Sequence, residues 1–172
     1  FDKTGRGSGK MTPPFAGGPQ PPRLPVGPPA QTPTQLVKFE EPAGWDTGST
    51  NSMVRVRLTK EADGKKAQIT VIEMPASANT WEPNVQRWQN QVGLGELADS
   101  DLSARVSEIS VDGVKGKIVD LIDLSSSSDV GTIAAMVKLG DSAWFLKLSG
   151  NKNLVDENRD SFKSFLNTLQ LK

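Results

Sequence analysis

The amino-acid sequence predicts an α+β protein: an antiparallel sheet of about six to seven strands with helices packed on it. Alternating apolar and polar residues, the pattern of half-buried strands, recur in several separate runs. Short turns divide many of these runs, among them Asp63–Gly64, Asp112–Gly113 and Gly140–Asp141. Strands joined by so few residues pair antiparallel. Two further segments place apolar residues at helical spacing, which predicts two helices.

Composition divides the chain near residue 35. Residues 1–35 contain 9 of the 12 prolines and 6 of the 16 glycines, with four basic side chains and one acidic one. Proline lacks an amide donor, and a segment with so little apolar surface gains too little from burial to fold. We therefore predict a disordered Pro/Gly-rich linker over residues 1–35, partly in polyproline-II conformation, and a single domain over residues 36–172.

The first half of the predicted domain contains three strands and a helix. The strands cover residues 36–45, 53–58 and 67–74. The helix begins at a capping Asn79 or Thr80 and ends at a glycine. Its apolar residues recur at helical spacing and form one face: Trp81, Val85, Trp88 and Val92. Large rings on such a face are typical of core packing.

The second half contains four more strands and a closing helix. After a polar loop, the strand-like runs cover residues 104–111, 113–124, 132–140 and 142–150. The closing helix begins near Asn153. Its apolar residues again keep helical spacing: Val155, Phe162, Phe165, Leu166 and Leu169. The predicted order is therefore β-β-β-α-β-β-β-β-α.

Missing residue types exclude several kinds of chemistry. The chain has no Cys, no His and no Tyr. Disulfides, thiolate nucleophiles, Ser-His-Asp triads and Cys-ligated zinc are therefore excluded, and we expect neither a metal nor a cofactor. The chain lacks the dense basic patch that nucleic acid demands and any apolar run of the ~20 residues that span a bilayer. Because it begins at Phe1 rather than Met, we expect the chain to have been processed or cut for expression, and the Pro/Gly tether fits an exported protein whose leader has gone.

Four polar residues are the candidate binding site. Asn84, Arg87 and Gln91 form a stripe on the first helix, about 100° from its apolar face. An arginine flanked by carboxamides can bind a carboxylate or a carbonyl, or it can tie the helix to a neighbouring strand. Lys147 lies in an otherwise apolar strand, where its stem can follow apolar surface while the ammonium reaches water. Catalytic use of Lys147 would need a partner in a cleft.

Three stretches resemble a known family. They cover residues 41–45, 84–94 and 144–169. The shared positions are Pro42, Gly44, Trp45, Asn84, Arg87, Trp88, Gln91, Gly93, Leu94, Trp144, Phe145, Lys147 and Gly150. This pattern resembles a family of exported, often lipid-anchored proteins of unknown function that is common in planctomycetes. The sequence departs from that family at Gln89–Asn90, where an Arg-Gly pair is frequent.

The resemblance implies a fold and a location. Its fold is similar to the α/β/α sandwich of the PsbP and Mog-type proteins, which are non-catalytic binding or assembly proteins. Family members carry a lipid-attachment Cys ahead of a Pro/Gly tether. This implies a location in the periplasm or outer cell envelope, with membrane contact only through an N-terminal anchor that has been lost.

We therefore expect a non-enzymatic binding or scaffold domain of the cell envelope, tethered by its N-terminal linker. Its partner would be an unknown protein or small molecule, and we expect a monomer that does not bind nucleic acid. Two alternatives stay open. One is a hydrolase of envelope polymers that uses carboxylate and lysine side chains, and the other is an assembly factor for an envelope complex.

Overall fold

The computed structural model describes residues 37–171 and confirms the α+β prediction. The predicted linker over residues 1–35 lies outside these residues. Seven strands, four α-helices and a short 3₁₀ turn follow one another along the described chain. Their bounds are β1 Asp46–Thr47, β2 Val54–Ala62, β3 Lys65–Pro75, the 3₁₀ turn Ala76–Ala78, α1 Trp81–Gln91, α2 Asp99–Arg105, β4 Val106–Val111, β5 Val114–Asp120, β6 Val130–Leu139, β7 Ser142–Asn151, α3 Lys152–Glu157 and α4 Arg159–Thr168.

The strands form one antiparallel sheet in the order β1-β2-β3-β7-β6-β5-β4. The hairpins β2–β3, β4–β5 and β6–β7 each join neighbours in sequence. The chain leaves β3 through α1 and α2, enters β4 at the far edge, and returns strand by strand until β7 pairs with β3. That last pairing places residues 67–75 beside residues 142–150 at the centre of the sheet.

The two faces of the sheet are covered by different helices. On one face α3 and α4 bury a large core that includes Phe162, Phe165 and Trp144. On the other face Val85 and Trp88 of α1 pack with apolar residues from β5, β6 and β7. We call this second surface the α1 face. Over β2 and β3 the α1 face carries many polar residues, among them those at alternate positions 57, 59, 68 and 70.

The opening strand is shorter and later than predicted. Residues 36–45 were predicted to form it, but β1 is Asp46–Thr47. Lys38 makes only an isolated bridge to Gln170, and its carbonyl accepts a hydrogen bond from the Gln170 amide at 2.8 Å. Pro42 has no amide to give to a ladder, and Gly44 turns the chain with a positive φ of 77°. The chain therefore joins the sheet only after this turn.

Two helical predictions also need correction. The closing helix is two helices, because the chain breaks at the buried Asn158. Its Nδ2 donates to the Leu154 carbonyl at 2.7 Å and its Oδ1 accepts from Lys60 Nζ at 2.9 Å, so its side chain competes with the backbone of the helix. The polar loop after α1 contains a further helix, α2, in which only Leu102 packs against the α1-face core. A single core-facing apolar residue produces no helical periodicity, so the sequence pattern does not predict α2.

None of the helices among residues 37–171 has the length and apolar character needed to cross a membrane.

The sheet depends on a close approach at Gly116. A Cβ atom at this position of β5 would lie 2.2 Å from the Met136 carbonyl oxygen on β6. We expect Gly116→Ala to lower the free energy of unfolding by about 1–3 kcal/mol, because the backbone must move to admit the methyl group. Urea denaturation measures the change. The matched control is Lys115→Ala at the exposed neighbouring position, for which we expect a change below about 0.5 kcal/mol. Equal stabilities of the two variants would contradict this account.

Candidate functional site

The tryptophans of α1 hold the helix on the sheet. The Trp88 ring meets Phe145 of β7 edge to face with centroids 6.0 Å apart, and it meets Trp81 in the same way at 6.0 Å. Trp88 is buried and Trp81 is half-buried. Such edge-to-face pairs add directional attraction to the burial of large rings. The packing of these rings therefore fixes the rotation of α1 about its axis, and with it the edge of the helix that lies above β7 on the side of β3.

Asn84 is a structural member of the predicted stripe. Its side chain is buried, and its Nδ2 donates to the Thr80 carbonyl at 2.6 Å. Its Oδ1 accepts a hydrogen bond from Arg87 Nη2. Asn84 thus completes the first turn of α1 and orients the arginine, while its own polar atoms are occupied. This placement gives Asn84 a structural role, and its membership of a binding surface stays a prediction.

The other three predicted residues lie together. Gln91, at the end of α1, accepts a hydrogen bond at 2.8 Å from the Nζ of Lys147. Lys147 lies in β7 on the α1 face, opposite Thr70 of β3 and Ala134 of β6. Burial lowers the pKa of the Lys147 ammonium from its ordinary 10.5, and the positive charge of Arg87 lowers it further. Two cations therefore lie near each other at one edge of α1.

These cations lack acidic partners within the described chain. The salt bridges among residues 37–171 involve Arg55, Lys66 and Arg159, and neither Arg87 nor Lys147 takes part in one. Lys147 is half-buried and Arg87 is exposed, and like charges that lie near each other repel. An anion placed between them would remove that repulsion.

A groove of about 590 Å³ opens beside Lys147. Gln91 and Lys147 line one side of it, and Asp46 with Glu61 lines the side toward β1 and β2. Its volume falls within the range of small-ligand sites. The groove lies where the α1 face is polar, so its surface can hydrogen-bond a ligand.

One row of side chains crosses the groove. Ser149 of β7 lies opposite Gln68 of β3, Gln68 lies opposite Thr59 of β2, and Thr59 lies opposite Asp46 of β1. All four residues line the groove. We call them the polar row. Each residue occupies a polar position of its strand, but the amino-acid sequence does not reveal the row, because the row exists only once the register of four strands is known.

The acidic residues of the groove are solvent-exposed. Asp46 is exposed on a two-residue edge strand, and Glu61 forms a salt bridge with Lys66 at 3.3 Å. On the sheet, β3 separates β2 from the Lys147 strand, a separation of about 10 Å between Glu61 and the lysine strand. Neither carboxylate lies in the water-excluded surroundings that acid–base catalysis by a carboxyl group uses. Residues 37–171 hold no group of three acidic residues placed to bind a metal ion.

Comparison with known proteins identifies the architecture. The chain has the fold of a cyanobacterial PsbP. The solution structure of that protein from Synechocystis superposes with a TM-score of 0.51 and 13% sequence identity, covering 80% of this chain and 87% of the other. A Bacteroides thetaiotaomicron protein superposes with a TM-score of 0.46 and 9% identity, covering 80% of this chain and 45% of the other.

The similarity to PsbP shows the fold and carries nothing about a ligand. No family model matches the sequence, and no curated protein matches it. The PsbP-like architecture predicted from the sequence is thus confirmed, whereas membership of the exported, lipid-anchored family stays a prediction.

The structural role of Asn84 is testable by stability. Asn84→Ala removes the bond to Thr80 and frees Arg87 Nη2, so we expect the free energy of unfolding to fall by about 1–2 kcal/mol. Gln86→Ala, at an exposed position of the same helix, is the control and should stay within about 0.5 kcal/mol of the wild type. Chemical denaturation followed by tryptophan fluorescence measures both. If the two variants unfold together, the Asn84 contacts are not structural.

The proximity of Arg87 and Lys147 is testable by titration. The folded-state pKa of Lys147 lies below 10.5, the ordinary value that we take for the unfolded chain. At pH values between the folded-state pKa and 10.5, the folded domain therefore holds fewer protons than the unfolded chain. Stability should therefore rise with pH across that window. Arg87→Gln should move the pKa of Lys147 upward, since one of its two causes is removed, and NMR of the lysine Cε and Nζ nuclei measures it. Lys138→Gln, on an exposed lysine of β6, should leave the Lys147 curve unchanged. An unmoved midpoint in Arg87→Gln would contradict the proximity.

Proposed function

We propose that this domain is a non-enzymatic binding module that holds an acidic ligand in the groove beside Lys147. Arg87 and Lys147 bind the acidic group, and Gln91 positions the lysine. The observation that carries the proposal is that Lys147 lines a ligand-sized groove and bonds to Gln91, one helical turn from Arg87 on α1. Neither cation forms a salt bridge with a carboxylate among residues 37–171.

The physical basis is the repulsion between the two cations. Burial disfavours the charged form of Lys147, and Arg87 disfavours it further. An anion between the two groups would offset the repulsion, and its attraction to the half-buried Lys147 would be stronger than in bulk water. A carboxylate suits this geometry, since the guanidinium of Arg87 offers parallel donors and the ammonium of Lys147 adds a third.

The proposal favours binding over the hydrolase alternative. A hydrolase that uses carboxylates and a lysine needs at least one of its acidic groups near the lysine. Here Asp46 and Glu61 lie on the β1–β2 side, both are exposed, and Glu61 is paired with Lys66. Lys147 instead bonds to the amide oxygen of Gln91, which cannot act as a base.

We place the module in the cell envelope on the strength of the sequence resemblance to exported proteins. The predicted Pro/Gly-rich linker would then present the groove at a distance from an anchoring surface. An acidic segment of a larger complex would bind through the same contacts, so an assembly role is one form of the same proposal. Subcellular fractionation with an antibody against the chain tests the location.

Succinate, a simple dicarboxylate, tests the binding site. In ¹H–¹⁵N NMR titrations of the full chain we expect the amides of Gln91, Lys147 and Ser149 to shift with succinate concentration. Lys147→Met and Arg87→Gln should each weaken the apparent affinity about tenfold, which corresponds to the loss of about 1.4 kcal/mol of charge-assisted hydrogen bonding. Neutral diethyl succinate should produce no such shifts.

Lys138→Gln is the control, because it removes a lysine of the α1 face outside the groove. We expect this variant to bind succinate as the wild type does. Shifts that spread over all exposed lysines, or that survive unchanged in Lys147→Met, would contradict the proposed site.

A further inference from the structure

The polar row has a cation beside its β7 end and a carboxylate at its β1 end. At the β7 end, Ser149 lies two residues from Lys147 on the same face of the strand, and both line the groove together with Gln91. At the β1 end the row finishes at Asp46, whose carboxylate takes part in no salt bridge among residues 37–171. Between the charged ends lie only a hydroxyl, a carboxamide and another hydroxyl.

The spacing of the row defines the length of a matching ligand. Neighbouring strands lie ~4.8 Å apart, so β7 and β1 are separated by about 14 Å, or three strand spacings. An extended peptide advances ~3.3 Å per residue, and about four residues would cover that distance. Its amide groups both donate and accept hydrogen bonds, as do the side chains of Gln68, Ser149 and Thr59.

We propose that the groove binds an extended peptide segment of about four or five residues with an acidic group at one end and a basic group at the other. The acidic group lies between Arg87 and Lys147, the chain crosses β3 and β2 along the polar row, and the basic group contacts Asp46. This inference rests on the proposed function and specifies its ligand. The carboxylate is supplied either by a side chain or by a peptide C-terminus.

Side chains of the row are available for this role. Gln68 and Thr59 are exposed, and Ser149 is half-buried. Among the described residues neither Gln68 nor Ser149 makes a side-chain hydrogen bond, while the Thr59 hydroxyl donates weakly to the Asp46 carbonyl at 3.4 Å. Glu61 lies two residues beyond Thr59 in β2, on the same face, and its salt bridge to Lys66 leaves Asp46 as the unpaired acid at this end among residues 37–171. The two ends of the groove thus select for the direction of the peptide.

Capped peptides test the charge pattern. The probe is acetyl-Lys-Gly-Ser-Gly-Asp-amide, and its partner is the same peptide with Gln in place of Lys. We expect the first to bind the full chain about two- to five-fold more tightly, the range that one exposed ion pair supplies. Asp46→Asn should abolish that difference. Asp141→Asn, at an exposed acid outside the groove, should preserve the difference.

Pentaglycine with free termini tests whether the acidic group of the ligand is a C-terminal carboxylate or a side-chain carboxylate. Tighter binding of pentaglycine than of the capped peptide would assign the carboxylate to a C-terminus, and the reverse order would assign it to a side chain. Isothermal titration calorimetry gives the affinities, and ¹H–¹⁵N spectra show that each variant is folded.

The outcomes separate this inference from the proposed function. If the Lys and Gln peptides bind equally to the wild type while Lys147→Met still loses succinate, the peptide assignment is overturned and the acid-binding groove stands. If neither succinate nor either peptide shifts the amides of the groove, both are overturned. A difference between the peptides that persists in Asp46→Asn also overturns the assignment of the basic end.

Discussion

The antiparallel pairing of β3 with β7 is the constraint on which the rest of the structure depends. It joins the hairpin formed by β2 and β3 to the four-stranded half built after α2, and it runs from Ala67 opposite Gly150 to Pro75 opposite Ser142. Gly150 is required there, since its φ is 146° and a Cβ would lie 2.3 Å from the Lys66 carbonyl oxygen. A slip of one residue would turn Lys147 and Ser149 into the core beneath α3 and α4.

The position of α1 decides how much of the sheet remains open. Trp88 packs on Phe145, so the helix covers the apolar side chains of β5, β6 and β7. The same face changes character along the row that runs from Ala134 through Lys147 and Thr70 to Arg57. Where a helix lies over the strands the residues are apolar, and where the face is open they are polar. The groove is a consequence of this boundary.

The charges at the boundary give the groove its chemistry. Lys147 is held at the edge of α1 by Gln91, and Arg87 is oriented by Asn84, whose own polar atoms are satisfied within the helix. Asn84 thus has a structural role, and it orients Arg87, which forms no salt bridge among residues 37–171. The acids at the β1 side are arranged differently, because Glu61 is neutralised by Lys66 and Asp46 is not. The resulting asymmetry distinguishes one end of the groove from the other.

Sequence alone was sufficient for features that depend on local period. Alternation in β2 and β3 gave their buried faces, and the spacing of Val85, Trp88 and Val92 gave the buried face of α1, because each element repeats with a fixed geometry. The sequence pattern also placed Arg87, Gln91 and Lys147 in one set of candidate residues, but it did not indicate that Asn84 is buried. A polar residue at the border of a helical face can be either buried or exposed, and the tertiary contacts around it determine which.

Tertiary structure alone decided the strand order, the break at Asn158 and the polar row. Asp46 and Ser149 are about a hundred residues apart in the chain and share a row only because three separate pairings align them. Lys60 reaches Asn158 through a similar long-range contact. Pairing register is a property of two strands together, and no periodicity within either one encodes it. The amino-acid sequence therefore determined the elements and their faces, while the packing of distant segments made the groove.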